Sequence, residues 1–382
     1  MRTVVVSDLH LGSAGKVDLL RRADLRAPLV RALAGVDRLV LLGDTIELRE
    51  APLRAAAGLG AEFLAAVGAA LGPDGEVLIV GGNHDHGLVG GWIDGRLETE
   101  EPGFLALDER VEPSAVGAVA AALAAHAAPA RVTFAYPGVW LRDDVYATHG
   151  HYSDVHTTVP TFERIIAGAM ARWVVPLPGE DASPDDYEAI LGPMYAWMRA
   201  LAQRGEAGVV HEGGSASARA WVALAGGDSP RARRTLLGAG YGAAVRTLNA
   251  VGVGPLERRL SGAALRRGGL HGMGEVLRRL GVRAPHVIFG HTHRSGPWPE
   301  DDPAEWIAPT GARLLNTGSW VYQGHFLTRT PNVSPYWPGT AAIVDDEGSP
   351  RLERLLGYRA HADIAPDGRA AAAALVPGAL PL

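Results

Sequence analysis

The run Glu76-Val77-Leu78-Ile79-Val80-Gly81-Gly82-Asn83-His84-Asp85-His86 decides how the rest of the chain is read. Val, Leu, Ile and Val in succession, with Gly72-Pro73-Asp74-Gly75 before them and Gly81-Gly82 after, predict a short buried strand that ends in a tight turn. Asn, His and Asp side by side at a strand end have two readings. They are a turn in which Asn and Asp bond their own backbone, or a set of ligands. The same grammar, an apolar strand running into ligand chemistry, occurs at four other places, and that repetition selects the second reading.

Outward from this stretch, Thr3 to Val6 predicts a strand entering Ser7-Asp8-Leu9-His10-Leu11-Gly12. Leu19 to Leu33 has helical spacing, with Leu25, Leu29 and Leu33 on one face. Arg38 to Leu42 predicts a second strand, ending in Gly43-Asp44-Thr45-Ile46-Glu47, and Leu53 to Leu71 a helix. Alternating strand and helix predicts an α/β layered fold with ligands gathered at strand C-terminal ends. Further on, Ser114 to Ala127 reads as a helix, and Arg131 to Ala135 and Val139 to Ala147 as strands, the second ending in Thr148-His149-Gly150-His151. Residues 152–285 interrupt the alternation. A structureless loop of that length does not fit a compact domain, so this segment is expected to be an inserted helical cap, with Tyr187, Leu191, Met194, Tyr195 and Met198 forming its core. The α/β grammar resumes at Val287-Ile288-Phe289 and Gly290-His291-Thr292-His293, with further strands at Arg313 to Asn316, Ala341 to Val344 and Leu352 to Leu356. The expected organisation is a core of residues 1–151 and 286–360, the cap of 152–285, and a peripheral tail of 361–382.

Composition excludes several classes. The chain has 382 residues, 47% hydrophobic and 20% charged, which fits a soluble globular protein. A net charge of -6 is too mild for a wholesale nucleic-acid binder, and the lack of cysteine excludes disulfides, thiolate zinc sites and cysteine nucleophiles. The first strand begins at Arg2, which leaves no room for a signal peptide, and no run of about 18 strongly apolar residues is apparent. A cytoplasmic location is the expectation.

The polar residues at the strand ends are Asp8 and His10, Asp44, Asn83 and His84, His149 and His151, and His291 and His293. In an extended segment residues two apart share a side, so Asp8 with His10, and His291 with His293, would each present two groups to one place. Six of the 14 histidines lie in these motifs, where scattered surface histidines would not gather. Imidazole, carboxylate and amide oxygen without thiolate suit Mn, Fe, Zn, Ni or Co. The ligands are too many for one ion, which implies two divalent metal ions, roughly 3.5–4 Å apart, of the kind that clamps an in-line displacement. Asp44, alone in its motif, is the natural bridging carboxylate.

Through Asp8-Leu9-His10, Gly43-Asp44, Gly82-Asn83-His84-Asp85, His149 and Gly290-His291-Thr292-His293, in that order, the sequence resembles the calcineurin-like metallophosphoesterase superfamily. The resemblance covers residues 1–151 and roughly 286–356. It implies an αββα sandwich core carrying an inserted helical cap. It also implies that Asp8, His10, Asp44 and His293 hold one metal, with manganese the foremost candidate, and that Asp44, Asn83, His149 and His291 hold the other. His84 would stabilise the transition state or protonate the leaving oxygen, with Asp85 orienting its ring, and a metal-bridging hydroxide would attack phosphorus. The implied reaction is hydrolysis of a phosphomonoester, phosphodiester or pyrophosphate. The lone ligand of that family precedes a glycine, which favours His149 and leaves His151 to contact substrate or to support a ligand from behind. Glu47 is either such a support or an exposed turn residue. Asn316-Thr317-Gly318-Ser319 is either the turn beside the site or a plain one.

Ser7 to Gly12, Gly43 to Glu47 and Gly290 to Arg294 are also similar to UDP-2,3-diacylglucosamine pyrophosphohydrolases, but those enzymes carry Arg at the position of His84 and an acid at that of His151, so the likeness implies kinship and no substrate. A non-catalytic metal-binding scaffold on the same fold is the contrasting reading, and it predicts lost ligands, whereas all are present. From Pro230 to Arg283 there are eleven Arg against Glu257 and Glu275. They are solvated helix faces, or receivers of substrate phosphate, or a peripheral contact with an anionic membrane that delivers a lipid-linked substrate. Single-stranded nucleic acid is disfavoured because aromatic residues do not alternate with these Arg.

Overall fold

The computed structural model describes residues 1–99, 103–204, 231–258, 261–324, 326–327 and 334–366. Its strands are β1 (Thr3–Val6), β2 (Arg38–Leu42), β3 (Glu76–Val80), β4 (Asp108–Val111), β5 (Arg131–Arg142), β6 (Val145–Thr148), β7 (His286–Phe289), β8 (Ser295–Gly296), β9 (Arg313–Thr317), β10 (Thr340–Val344) and β11 (Arg351–Arg354). The helices are α1 (Ala23–Ala32), α2 (Leu53–Leu71), α3 (Gly90–Leu97), α4 (Pro113–Val116), α5 (Ala118–Ala125), α6 (Phe162–Trp173), α7 (Pro184–Gln203), α8 (Arg231–Ala250) and α9 (Gly262–Arg279), followed by a last turn, His361–Ile364. The chain is a mixed α/β protein built on one large sheet.

The strands run in the order β11-β10-β1-β2-β3-β5-β6-β7-β9-β8, with β4 beside β5. β1, β2, β3 and the first half of β5 are parallel, and so are β6, β7 and β9. In each set the C-terminal ends therefore lie at one edge. β5 joins the sets: Arg131 to Ala135 pairs with β3, and Gly138 to Arg142 pairs antiparallel with β6. The sequence suggested two strands separated at Tyr136-Pro137. The strand instead continues, because the ladder changes partner at that point.

Side-chain alternation sorts the core into layers. Val4, Val6, Leu39, Leu41, Val77 and Ile79 face α1, α2 and α5, while Val5, Val40, Leu42, Leu78 and Val80 face the opposite way. The second group shares one buried cluster with Val145, Ala147 and Ile288 of the other parallel set, so the two sets pack against each other. Tyr146, Val287, Phe289 and Leu314 point outward to a third cluster with Tyr187, Ile190, Leu191 and Met194 of α7 and Leu270 and Met273 of α9. The stripe expected to be a private core for residues 152–285 is thus shared with strands β6, β7 and β9.

Other expectations need adjustment. Leu19 to Leu33 divides into a 3-10 turn, Leu19–Arg21, and α1. The helix expected over Ser114 to Ala127 divides at Gly117. α2 is long and apolar enough, by length and composition alone, to cross a membrane, although Ala56, Phe63, Leu64 and Val67 on one side of it are buried in the core. The segment expected to be a peripheral tail buries Ile364 and Ala365 in the first cluster, and its residues 367–382 lie outside the described residues.

Gly43, at the end of β2, shows how closely the strand ends approach. Its φ is 84°, and a Cβ there would lie 2.3 Å from the His149 ring. Gly43→Ala is expected to cost about 2 kcal/mol or more, from left-handed strain and overpacking together. Thermal unfolding of the variant measures this, and an unchanged melting temperature would contradict it.

Candidate metal centre

Each strand-end loop is held by the next. The Asp8 and His10 backbone N–H groups donate to the carbonyls of Gly43 (3.1 Å) and Asp44 (2.8 Å), and Leu48 N–H donates to the His84 carbonyl at 3.1 Å. Gly290 N–H donates to the His149 carbonyl, and Trp320 N–H to that of Asp8. The ligand-bearing residues are not extended, as the i, i+2 reading assumed. Asp8, His10, Asp44, His291 and His293 have φ of 56°, 46°, 53°, 66° and 60°, a costly region for a side-chain-bearing residue that persists only where surrounding contacts enforce it. As a result Asp8 and His10 do share one place, whereas His291 and His293 diverge to two.

The first place is formed by Asp8, His10 and His293. Asp8 Oδ1 and His293 Nε2 lie 3.2 Å apart, as do the Nε2 atoms of His10 and His293. His10 Nε2 is 3.6 Å from Asp44 Oδ2. The second place surrounds one end of the Asn83 amide, which lies 3.1 Å from His149 Nε2, 3.2 Å from His291 Nδ1 and 3.3 Å from Asp44 Oδ2. Asp44 Oδ2 thus faces both, and its Oδ1 accepts from His84 N–H at 2.7 Å. Among the described residues, groups whose ligand atoms lie within 4.8 Å of one another are Asp8–His10–His293, His10–Asp44–His84 and Asp8–Asp44–His149.

This donor set fits cations. Ligand-type atoms of different residues converge on one another, and Asp8 Oδ1 is buried without a hydrogen-bond donor of good geometry among the described residues. The remaining ring nitrogens of His10, His149 and His291 are fixed from behind, as is usual for metal-binding imidazoles, whereas His293 Nδ1 is buried without a hydrogen-bond partner among the described residues. His149 Nδ1 lies 2.9 Å from the Leu42 carbonyl, His10 Nδ1 3.0 Å from Glu47 Oε2, and His291 Nε2 3.0 Å from Asp154 Oδ1.

Two assignments made from sequence change. Asp85 does not orient His84: its carboxylate accepts from the backbone N–H groups of Gly82 (2.7 Å), Thr45 (2.7 Å) and Asp44 (3.3 Å). Those amides turn it away from the ring. Glu47 takes that place, its Oε2 lying 2.7 Å from His84 Nδ1, so Glu47 is neither exposed nor a mere turn residue. His151 does not face a substrate space either. It is buried, with Nε2 3.1 Å from the Tyr136 hydroxyl, which in turn donates to Glu188. The Asn316 side chain donates to the Gly290 carbonyl (2.9 Å) and to Thr292 Oγ1 (3.0 Å), so it props the His291–His293 loop.

Sequence reading missed Arg49 and Asp154. Asp154 had a weak signal, a carboxylate three residues after His151 at the end of a ligand-bearing strand. Arg49 had only its closeness to Asp44. Of the Arg-rich stretch, Arg266 pairs with Glu305 and Asp301, and Arg278 and Arg279 pair with Glu275. Arg259 and the side chains of Arg231, Arg233 and Arg234 lie outside the described residues.

Electrostatics follow from burying so many charges together. Burial pushes the Asp8 carboxyl upward, but the His293 and His149 imidazoles together outweigh it and hold the group at about 2. Burial opposes a charge on His10, yet Glu47 and Asp44 raise it to about 9. His149 is raised to about 10 against the same burial, chiefly by Asp44. Asp85 is raised to about 6 by burial and by Asp44. Burial and the neighbouring imidazoles keep His151 well below its usual value.

A cavity of about 590 Å³ opens onto this centre. Asp44, Asn83, His84, His291 and His293 line one end. The helices line the rest, mostly with apolar side chains: Val159, Phe162 and Ile165 from the α6 region, Val245 and Leu248 of α8, and Leu265 and Leu270 of α9, with Glu163, Tyr241 and Arg266 among them.

No family model matches the chain, and no curated protein matches it. Among solved structures, a dimetal phosphatase from Danio rerio is similar at 11% identity with a TM-score of 0.31, over 93% of this chain and 99% of that one. A likeness of that degree establishes neither fold nor activity here, and the functional reading rests on the geometry.

Imidazoles must lose a proton to bind a cation, so metal uptake and pH are linked. Without metal, the protonated His10 and His149 contribute stability that is complete below about pH 6.5 and is lost as pH rises through about 9 and 10. At pH 7.5 both carry protons that a metal bound there would displace. Adding Mn(II) to weakly buffered protein at that pH is expected to release about two protons per chain, one from each imidazole. Metal uptake at constant pH would contradict this.

Proposed function

We propose that the chain is a binuclear metal-dependent phosphoesterase. The observation that carries this is the pair of adjoining donor sets that share Asp44 and face one cavity. Asp8, His10, Asp44 and His293 would hold one divalent ion, and Asp44, Asn83, His149 and His291 the other. Bound there, two ions would supply positive charge to the phosphoryl oxygens and an acidified water for hydrolysis. The reading includes a four-layer αββα core of residues 1–151 and 286–360 with residues 152–285 as its cap. The shared interlayer cluster and the helices on both outer faces support the layers.

The chain's own residues supply orientation and proton handling. Glu47 fixes His10 and His84 through one oxygen, and its Oε1 accepts from the Arg49 and Glu50 backbone N–H groups. With its Nδ1 so occupied, His84 offers Nε2 to a substrate in the cavity, suited to donating a proton to the leaving oxygen. The strained loops hold these groups in place before substrate arrives, so little reorganisation accompanies the reaction.

The apolar end of the cavity supports a substrate whose phosphoester carries an apolar group, such as a lipid-linked phosphodiester or pyrophosphate. Within reach of His84 and the donor sets, a chain packed between α6, α8 and α9 would be removed from water at about 0.8 kcal/mol per CH₂.

Hydrolysis of p-nitrophenyl phosphate, bis-p-nitrophenyl phosphate, and methyl and octyl p-nitrophenyl phosphate, with and without Mn(II), tests both statements. Turnover that depends on Mn(II), two metals per chain, and kcat/KM at least about tenfold higher for the octyl than for the methyl ester are expected. Equal values for the two esters would remove the apolar group from the proposal, and hydrolysis indifferent to chelators would remove the metals. Asp44→Asn is expected to abolish turnover. His84→Ala should slow it about 10²–10⁴-fold at unchanged metal content, and loss of both metals in that variant would contradict the role given to His84.

A further inference from the structure

Arg49 is a buried charge that the chemistry above leaves unused. Its Nη2 donates to Glu163 Oε1 (2.8 Å) in the first turn of α6 and lies 2.9 Å from Met198 Sδ on α7. One residue from the loop after β2 therefore touches both helices that cover the site. Its Nη1 lies 2.6 Å from the far end of the Asn83 amide, the near end of which faces Asp44 Oδ2, His149 Nε2 and His291 Nδ1.

These contacts make incompatible demands on one planar group. An amide has an acceptor oxygen at one end and two N–H donors at the other. A guanidinium offers only donors, so the end facing Arg49 is favourable only as oxygen. A cation among Asp44, His149 and His291 needs that oxygen at the opposite end, since an amide nitrogen bearing two protons has no lone pair to give. In the metal-free protein the near end is best filled by the amide N–H₂, whose two protons face Asp44 Oδ2 and His291 Nδ1 while the oxygen accepts from Arg49.

Resting on the two-ion reading above, we propose that Arg49 is a positioning residue that couples the second ion to the helices over the site. Cation binding turns the Asn83 amide by half a turn and presents its N–H₂ to Arg49. The guanidinium then leaves this contact, and the tie from Arg49 through Glu163 to α6 loosens. The coupling is reciprocal: with Arg49 seated on the Asn83 oxygen, the second ion binds more weakly than its ligands alone would allow. The cavity lies beneath α6, so the covering helices are held most firmly when the centre is incompletely loaded.

Calorimetric titration with Mn(II), together with hydrogen exchange over residues 162–173, tests this without reference to turnover. In the native protein two Mn(II) should bind, and exchange in α6 should rise with the second. Arg49→Met, similar in length but without donors, should bind the second ion about tenfold tighter or more, the size of one charge-assisted hydrogen bond. Arg49→Lys, which keeps a donor and the charge, should stay near the native affinity. Asn83→Asp carries oxygen at both ends, so Arg49 keeps its contact in either state and α6 exchange should no longer respond to Mn(II). Two ions bound with no change in α6 exchange in the native protein, or a second ion no tighter in a folded Arg49→Met, would overturn the role of Arg49 alone. Failure of the native protein to bind Mn(II) would overturn the two-ion reading and this inference with it.

Discussion

The structure depends on the burial of carboxylates at the ends of parallel strands. Asp8, Asp44 and Glu47 are at most 1% exposed, and a buried anion is tolerated only when paired or fully hydrogen-bonded. The chain meets that requirement with imidazoles from four separate loops and with backbone amides aimed inward. Meeting it fixes the loop conformations, and the loop conformations in turn fix which atoms face one another.

Five residues accept left-handed backbone angles as a consequence. That strain is offset by hydrogen bonds that run from loop to loop beyond the strand ends, so the loops behave as one continuation of the sheet. Asn316 and Thr317 extend this support from β9, and Ser7 Oγ lies 2.6 Å from Thr317 Oγ1. A phosphoester site of the proposed kind needs such rigidity, because atoms misplaced by an ångström lose much of the rate.

The helices of residues 152–285 are tied to the centre as well as laid over it. Asp154 fixes His291, Glu163 pairs with Arg49, and Glu188 enters the core to accept from Tyr136, Tyr152 and His86. Buried polar ties of this kind are costly to break singly, so substrate access and the arrangement of the centre are linked through named side chains.

Much was legible in the sequence. Strand-length apolar runs ending in Gly and polar residues pointed to the α/β class and to a set of strand-end groups, Asp8, His10, Asp44, Asn83, His84, His149, His151, His291 and His293, because hydrophobic period and residue chemistry are local properties. Partnership in space is not local. Asp85 adjoins His84 in sequence yet bonds backbone amides, while Glu47, thirty-seven positions away, holds the ring. His151 is a histidine at a strand end like the others, but the turn after Gly150 sends it into the interior toward Tyr136. Arg49 and Asp154 carry no motif, and only the folding of α6, α7 and the strand ends onto one another brings them to the site. The sequence by itself determined which chemical groups the strand ends carry. The tertiary structure decided which of them face one another, because that depends on backbone angles and long-range packing that no run of neighbours encodes.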